Sequence, residues 1–321
     1  MEKLENKYKV SIIVPIYGVE KYIEKCARSL FEQTFDDIEY IFVDDCTKDR
    51  SIDILKCVID DYPNRKDNIV IVKNEENKKL AATRDVGLRI AQGEYVLNCD
   101  SDDWVELNMV ELMYNKAKES GADIVCCEAF KEGAYGPELL EYEYCEEIGG
   151  DKLLKLYLYD QYTAIWNKLI KRNLFFEFDV WHYKGVNMGE DSAVTVRLRY
   201  FSKKTVVVHS PLYHYNRQNE NSMCAVYNEK ATKEYMKLAL SIEEFFRQEG
   251  VVDKYQVVVN YLKFVSKQNI LRQGKDLKKW REIYPECHKD ILKFNYFSFV
   301  GRLKWLCCAY LPKIIVSKFI K

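Results

Sequence analysis

Five short apolar runs recur through the first 128 residues, separated by segments with the periodicity of amphipathic helices. The runs are Val10 to Val14, Ile38 to Val43, Ile69 to Val72, Tyr95 to Cys99 and Asp123 to Cys127. Behind the first, Ile23, Cys26, Ala27, Leu30 and Phe31 fall on one side of a helix predicted over residues 19–34. Ile52, Leu55, Ile59 and Tyr62 mark a second helix, and residues 80–91 and 107–119 two more. Strands alternating with helices of this length predict an α/β fold, a parallel sheet with helices on both faces.

In such a sheet, ligands bind beyond the carboxyl ends of the strands. Three polar groups stand at predicted strand ends: Pro15-Ile16-Tyr17, Asp44-Asp45 and Asp100-Ser101-Asp102-Asp103. They lie far apart in sequence, but the fold class would gather them on one rim. Three crowded carboxylates repel one another and attract a hard divalent cation. A metal-bound phosphate is therefore the expected ligand. A calcium loop is a poor competitor. Asp100, Asp102 and Glu111 fit its first, third and twelfth positions, but Trp104 and Val105 stand where a ligand and a glycine are needed.

Composition narrows the class. With 48% apolar and 31% charged residues the chain should be globular, and a net charge of −1 gives no pull toward nucleic acid. The 11 cysteines are an odd count without any C-x-x-C, and two adjacent pairs sit in apolar runs. They read as small hydrophobes rather than as disulfides or a zinc site. A charged amino terminus with no long apolar stretch after it predicts no signal peptide. No apolar run approaches the length of about 18 residues that a membrane span needs. A reducing cytoplasm is the expected compartment.

The alternation stops after residue 130. Residues 131–150, rich in Gly and Glu, read as a loop crossing the surface, and residues 229–290 as helices. Between them lie Trp166-Asn167-Lys168-Leu169, a Gly189-Glu190-Asp191 segment opening a helix, and a strand at Val206 to Val208. From Ile291 to Lys321 there are six basic residues and no acidic one, with Phe297, Phe299, Trp305, Tyr310 and Phe319 interspersed. Such a segment either lies in the headgroup layer of an anionic membrane or docks on the protein with a solvated basic face.

Four segments carry a family resemblance. They are Val10-Ser11-Ile12-Ile13-Val14-Pro15-Ile16-Tyr17, Phe42-Val43-Asp44-Asp45-Cys46-Thr47-Lys48-Asp49, Ala82-Thr83-Arg84-Asp85-Val86-Gly87, and Gly93-Glu94-Tyr95 through Asp103. In order and spacing they resemble the family 2 glycosyltransferases of the GT-A fold, mainly bacterial enzymes that build surface polysaccharides. Two departures stand out: Cys46-Thr47 where the family often has Gly-Ser, and Lys78-Lys79 where it often has a glycine.

The resemblance implies a mostly parallel sheet flanked by helices. It also implies transfer of a sugar, with inversion, from a nucleotide diphosphate sugar (UDP-linked in the leading reading) to a glycan or lipid-linked acceptor. Residues 1–223 would form the catalytic domain, its nucleotide-sugar half at about 8–130 and its acceptor half at about 131–223, with a helical region over 224–321. Pro15 and Tyr17 would line the nucleotide site, Tyr17 stacking on the base unless it is a turn residue packed under the rim. Asp45 would accept the base imide N–H, unless the Asp44-Asp45 pair merely caps the next helix. Asp100 and Asp102 match the family's DxD motif, with Asp102 the more direct ligand to Mn2+ or Mg2+ and Asp103 behind them. Arg84 would bind phosphate or pyrimidine, or pair with Asp45 or Asp100.

Gly189-Glu190-Asp191 resembles the family's Glu-Asp segment, which makes Asp191 the expected base; either acid alternatively caps the helix that follows. His214, Arg217 and Ser222 lie in a stretch that resembles a loop closing over the diphosphate. Arg217 is the expected phosphate contact there, and His214 or His209 a further candidate metal ligand. Trp166 reads as packing beneath the acceptor site or as a sugar platform. Two other readings remain: a sugar-nucleotide nucleotidyltransferase, though its Gly-rich phosphate loop is missing, and a nucleotide-sugar-binding scaffold without activity. The expected location is cytoplasmic, peripheral at the inner face of the cell membrane.

Overall fold

The structure is a computed structural model that describes residues 6–141, 163–219, 229–272, 276–294, 297–312 and 316. Two compact units emerge. The first holds the described residues up to 141 with 163–182 and 194–219; the second holds 183–193 and the described residues from 229 onward.

The first unit opens with β1 (Tyr8–Ile16), α1 (Ile23–Phe31), β2 (Ile38–Asp44), α2 (Ser51–Asp60), β3 (Ile69–Lys73), α3 (Leu80–Ile90) and β4 (Gly93–Asn98). A two-residue β5 (Trp104–Val105), α4 (Met109–Ser120), β6 (Ile124–Gly133) and β7 (Gly136–Leu140) follow. Further along come β8 (Lys168–Lys171), α5 (Asn173–Glu177), α6 (Glu190–Phe201), whose first residues belong to the second unit, and β9 (Thr205–Asn216).

Among the described residues these strands form one nine-stranded sheet, ordered β3-β2-β1-β4-β8-β6-β9-β5 with β7 added beside β6. The first half is parallel, with β1 between β2 and β4 and β3 outside β2. Val10 through Ile16 are buried without a break, so β1 is covered on both faces. On one face α1 lays down Ile23, Cys26, Ala27, Leu30 and Phe31 at helical spacing. On the other, α3 comes so close that a Cβ on Gly87 would stand 2.5 Å from Ile13 Cγ2.

The second half departs from the parallel expectation. The short strand β8 inserts antiparallel between β4 and β6, β7 runs antiparallel to β6, and β5 antiparallel to β9. The sheet is mixed, because residues beyond 128 return as hairpins and insertions instead of crossover helices. The predicted loop over 131–150 is corrected in the same region. Lys131 to Gly133 complete β6, and β7 turns back along it with Gly133 opposite Gly136. Because β7 is exposed on nearly every residue, it carries no apolar signature; residues 142–150 lie outside the described residues. The strand at 206–208 is the start of the twelve-residue β9, whose register against β6 shifts at Glu128, opposite Pro211.

The second unit is helical, with α7 (Glu229–Gln248), α8 (Gln256–Arg272), α9 (Leu277–Glu282), a 3-10 segment at Pro285–Lys293 and α10 (Phe299–Tyr310). Phe264, Leu271, Trp280, Cys287, Ile291, Phe294 and Cys308 make its core. Among the described residues no helix is long and apolar enough to cross a membrane.

Candidate active site

The carboxyl ends of β1, β2 and β4 lie side by side, fixed by register: Ile16 stands opposite Asp44 and Ile13 opposite Asn98. The backbone continues the pairing past the strands, with Asp45 N–H donating to Ile16 O and Cys99 N–H to Ile13 O. The three polar groups separated in sequence are therefore neighbours on one rim.

Pro15 sits within β1 opposite Val43. Tyr17, just beyond it, is 53% exposed, so its ring is open to a planar ligand and is not packed under the rim. The turn that carries it is tied to the β2–α2 loop. Gly18 N–H donates to Thr47 Oγ1, Val19 N–H to Ser51 Oγ and Glu20 N–H to Asp49 Oδ2. Asp44 accepts Thr47 N–H and so shapes that loop; neither acid caps the following helix, which starts at Ser51 without a side-chain cap.

Asp45 does something else. Its Oδ1 accepts from the Asn74 amide at 2.9 Å and Lys78 N–H at 2.7 Å, and its Oδ2 accepts from Lys79 N–H at 3.0 Å. At 3% exposed with three donors already in place, it anchors the 74–79 turn. The imide-binding role expected for Asp45 is not the one this geometry supports. The two departures from the family pattern fall on left-handed backbone: Cys46 has φ +61° and Lys79 φ +73° with ψ +162°. Glycine tolerates both conformations, and the second is almost confined to glycine.

Arg84, on α3 and 2% exposed, donates to Asp100 Oδ1 at 2.5 Å. Of the partners weighed for it, the structure shows Asp100. Asp102 Oδ2 accepts from the Asn219 side-chain amide at 2.7 Å. Burial and then the nearby charge of Asp100 push the Asp102 carboxyl above its ordinary range. Asp103 is sealed beneath them, with Oδ2 accepting from the Tyr213 hydroxyl at 2.6 Å and Oδ1 from Asn216 N–H at 2.7 Å. Burial, Asp102 and Asp100 raise it well above the usual carboxylate range. Asp103 thus braces the acidic turn from below.

Hard oxygen donors and an excess of negative charge fit a divalent ion at Asp100 and Asp102. Among the described residues no three His, Cys, Asp or Glu side chains are grouped to hold a metal. That also fits an ion such as Mg2+, which takes one or two carboxylates and completes its shell with water and substrate phosphates.

His214 is not placed to join that shell. Its Nδ1 lies 2.8 Å from Glu132 Oε1 and its Nε2 2.9 Å from Glu106 Oε1, and its ring stacks on Trp104. Both ring nitrogens already face carboxylates. His209 likewise faces Glu128 at 3.1 Å. Arg217 donates to the Tyr215 hydroxyl at 3.0 Å at the far end of β9, close to the acidic turn that Asn216 clamps. Trp166 is 6% exposed and stacked on Tyr213 and Tyr215, a packing role that leaves little ring face for a sugar. Ser222 lies outside the described residues.

Asp191 and Glu190 open α6 within the second unit. The segment before them is held by Glu234, whose Oε2 accepts from Asn187 N–H at 3.0 Å and Met188 N–H at 2.8 Å. Gly189, at φ +79°, packs so tightly that a Cβ there would come within 2.8 Å of both Leu238 and Tyr235.

Sequence reasoning did not single out Tyr213, Asn216, Asn219, Asn74 or Glu234. The first three belong to the stretch 213–222 already under scrutiny, where attention went to the charged residues. Period-two alternation along β9 is the signal that separates Tyr213 and Tyr215, stacked on Trp166, from His214 between them.

A parallel α/β half with an acidic turn closing its fourth strand is the arrangement that the family resemblance implies. The family model described as glycosyl transferase family 2 matches residues 11–174, a little over half of the chain. The chain belongs to that family, and its class is that of the glycosyltransferases. It is 32% identical to glycosyltransferase GlyA of Streptococcus pneumoniae over 235 residues, which are 69% of this chain and 32% of GlyA. The chain thus spans about a third of that relative's length. It is 28% identical to glycosyltransferase GlyG of the same organism over 298 residues, covering 88% of this chain and 93% of GlyG. The crystal structure of S. aureus TarS 1–349 in complex with UDP-GlcNAc shares the fold, with a TM-score of 0.71 at 20% identity over 93% of this chain and 83% of that one.

Proposed function

We propose that the protein transfers a sugar, with inversion, from a nucleotide diphosphate sugar to a hydroxyl of a glycan or lipid-linked acceptor in surface polysaccharide assembly. The observation that carries the reading is the convergence of an open aromatic ring, Tyr17, and the Arg84-braced acidic turn on adjoining strand ends. UDP is the preferred carrier, since the structurally similar TarS was solved with UDP-GlcNAc.

In this reading Tyr17 stacks on the base, and Asp45 shapes its surroundings by holding the 74–79 turn. Asp102 and Asp100 would hold Mn2+ or Mg2+, which when bound offsets charge developing on the leaving diphosphate. Arg84 keeps Asp100 oriented, and Arg217 faces phosphate. The acceptor oxygen attacks the anomeric carbon as the bond from that carbon to the diphosphate breaks, and the Asp191 carboxylate takes the hydroxyl proton. Work at the inner face of the membrane, in peripheral contact with anionic lipid, is supported by the acid-free stretch from Ile291 to Lys321.

The test is a panel of nucleotide sugars incubated with Mn2+, with and without acceptor, reading release of free nucleoside diphosphate and the anomeric configuration of product. Acceptor-stimulated release of diphosphate with an inverted product is expected. Release of nucleoside triphosphate on adding pyrophosphate, or binding without turnover, would overturn the proposal.

A further inference from the structure

Helix α10 carries two apolar faces, and among the described residues only one is covered. Cys308 and Ala309 are buried, and Trp305 packs edge-on to Phe264 and stacks on Trp280, so this side closes the core of the helical unit. On the opposite side Phe299 is 62% exposed, Val300 61%, Leu303 42% and Tyr310 62%. Those positions share one stripe of a helix turning about 100° per residue. Nothing among the described residues covers it.

Charge says what fits there. Arg302 and Lys304 flank the stripe, one on each side, and no acidic residue occurs from Ile291 to the end of the chain. Arg302 also donates to Leu292 O at 2.7 Å, and Lys293 pairs with Asp290 at 2.7 Å, so Lys304 is the cation of this face on which the charge argument rests. The aromatic residues of the tail also divide. Trp305 and Phe297 join the core, while Phe299 and Tyr310 point outward. An exposed apolar stripe with basic flanks matches the boundary between lipid headgroups and acyl chains: aromatic and aliphatic side chains enter the boundary, and cations meet anionic headgroups. At twelve residues the helix is too short to span.

We propose that the outward face of α10 is the surface on which the protein docks to an anionic lipid bilayer, lying parallel to it. The inference deepens the membrane-contact part of the proposed function and does not depend on the donor or on the base.

The experiment is flotation of the full chain with vesicles of phosphatidylcholine alone and of phosphatidylcholine with phosphatidylglycerol. The comparison variant is the double substitution Phe299→Ser with Leu303→Ser. Both side chains are exposed, so the variant should keep the wild-type melting profile. Wild type is expected to float with anionic vesicles and not with neutral ones, and the variant to lose about tenfold or more in partitioning. A further variant, Lys304→Glu, should weaken flotation without touching the stripe. Equal flotation of wild type and the double variant would overturn the proposal, as would wild type that ignores anionic vesicles. A wild-type dimer in solution that the double variant dissolves would also overturn it, because a second copy would then cover the stripe. Nucleotide-sugar hydrolysis, measured without vesicles on the same samples, separates the two readings: an inactive protein that floats defeats sugar transfer alone, and an active one that does not float defeats the docking face and the membrane contact while leaving sugar transfer standing.

Discussion

The Tyr213 hydroxyl donates to Asp103 Oδ2 at 2.6 Å while accepting the backbone N–H of Asp100 at 3.1 Å. One phenol thereby ties the buried last acid of the turn to the backbone of the first. Asp100 and Asp102 cannot be held at a strand end by their own chemistry, since their charges repel. The turn persists because Arg84 pairs with Asp100 while uncharged neighbours and Asp103 fix it from below.

Tyr213→Phe separates that bracing from mere packing. The ring would keep its stack on Trp166, and only the hydroxyl would go. An unmatched buried carboxyl oxygen costs about 1–3 kcal/mol. The expected outcome is a modest drop in melting temperature with a larger loss in Mn2+-dependent nucleotide affinity, read by calorimetry with and without metal. A variant that melts lower yet binds nucleotide as wild type does would reduce Tyr213 to a packing residue.

Lys79→Gly should stabilise the protein. The φ of +73° with ψ of +162° at Lys79 lies where residues with a Cβ are held at a cost of roughly 1–3 kcal/mol. Glycine removes that strain but gains freedom in the unfolded chain, offsetting roughly 0.5–1 kcal/mol. The net expectation is a rise of up to a few degrees in the thermal midpoint, with Lys79→Ala showing none. An unchanged or lower midpoint for the glycine variant would remove the strain argument.

These positions also show how far residue patterns reach. The central strands were legible because a strand buried on both faces is apolar nearly throughout. Val10 to Val14 and Ile38 to Val43 are each broken by one polar residue, Ser11 and Glu39, and those two satisfy each other in a hydrogen bond at 2.5 Å. The rim was legible because parallel pairing dictates which strand ends meet. What stayed hidden was exposure and partnership. β7 is solvated on nearly every residue and has no pattern to read. Asp45 looks like a ligand contact in sequence, yet its oxygens are taken by Asn74, Lys78 and Lys79, whose approach depends on a turn that no periodicity announces. His214 looks like a metal ligand until Glu106 and Glu132, distant in sequence, come to its two nitrogens.

Asp191→Asn should abolish transfer while leaving nucleotide affinity intact, because an amide cannot take the acceptor proton. Transfer near the wild-type rate would sink the assignment. Glu234 supplies a graded companion. Glu234→Gln keeps an oxygen for the Asn187 and Met188 N–H groups and should retain most activity. Glu234→Ala strands both donors and should lower kcat more than donor KM, since the segment it holds leads directly into Asp191. Equal effects of the two substitutions would show that the hydrogen bonds are not what matters.

One part of the pH dependence of stability should reside in the helical unit. His288 is 4% exposed and stacked on Trp280, with its Nε2 2.6 Å from the buried Lys267 ammonium. Burial first, then Lys267 and Arg281, lower its pKa from 6.5 to about 4. The neutral ring accepts a hydrogen bond from Lys267, whereas a protonated ring would face that cation directly. Because the folded value lies below the unfolded one, the unfolded chain binds more protons between them. The stability contributed by neutral His288 is complete above pH 6.5 and is lost as pH falls toward 4, at no more than roughly 1.4 kcal/mol per pH unit. Denaturant unfolding followed by tryptophan fluorescence from pH 7.5 down to 4.5 should therefore show a steady loss that His288→Gln flattens, because its amide accepts from Lys267 and does not titrate. A variant with the same slope as wild type would assign the acid sensitivity to other groups.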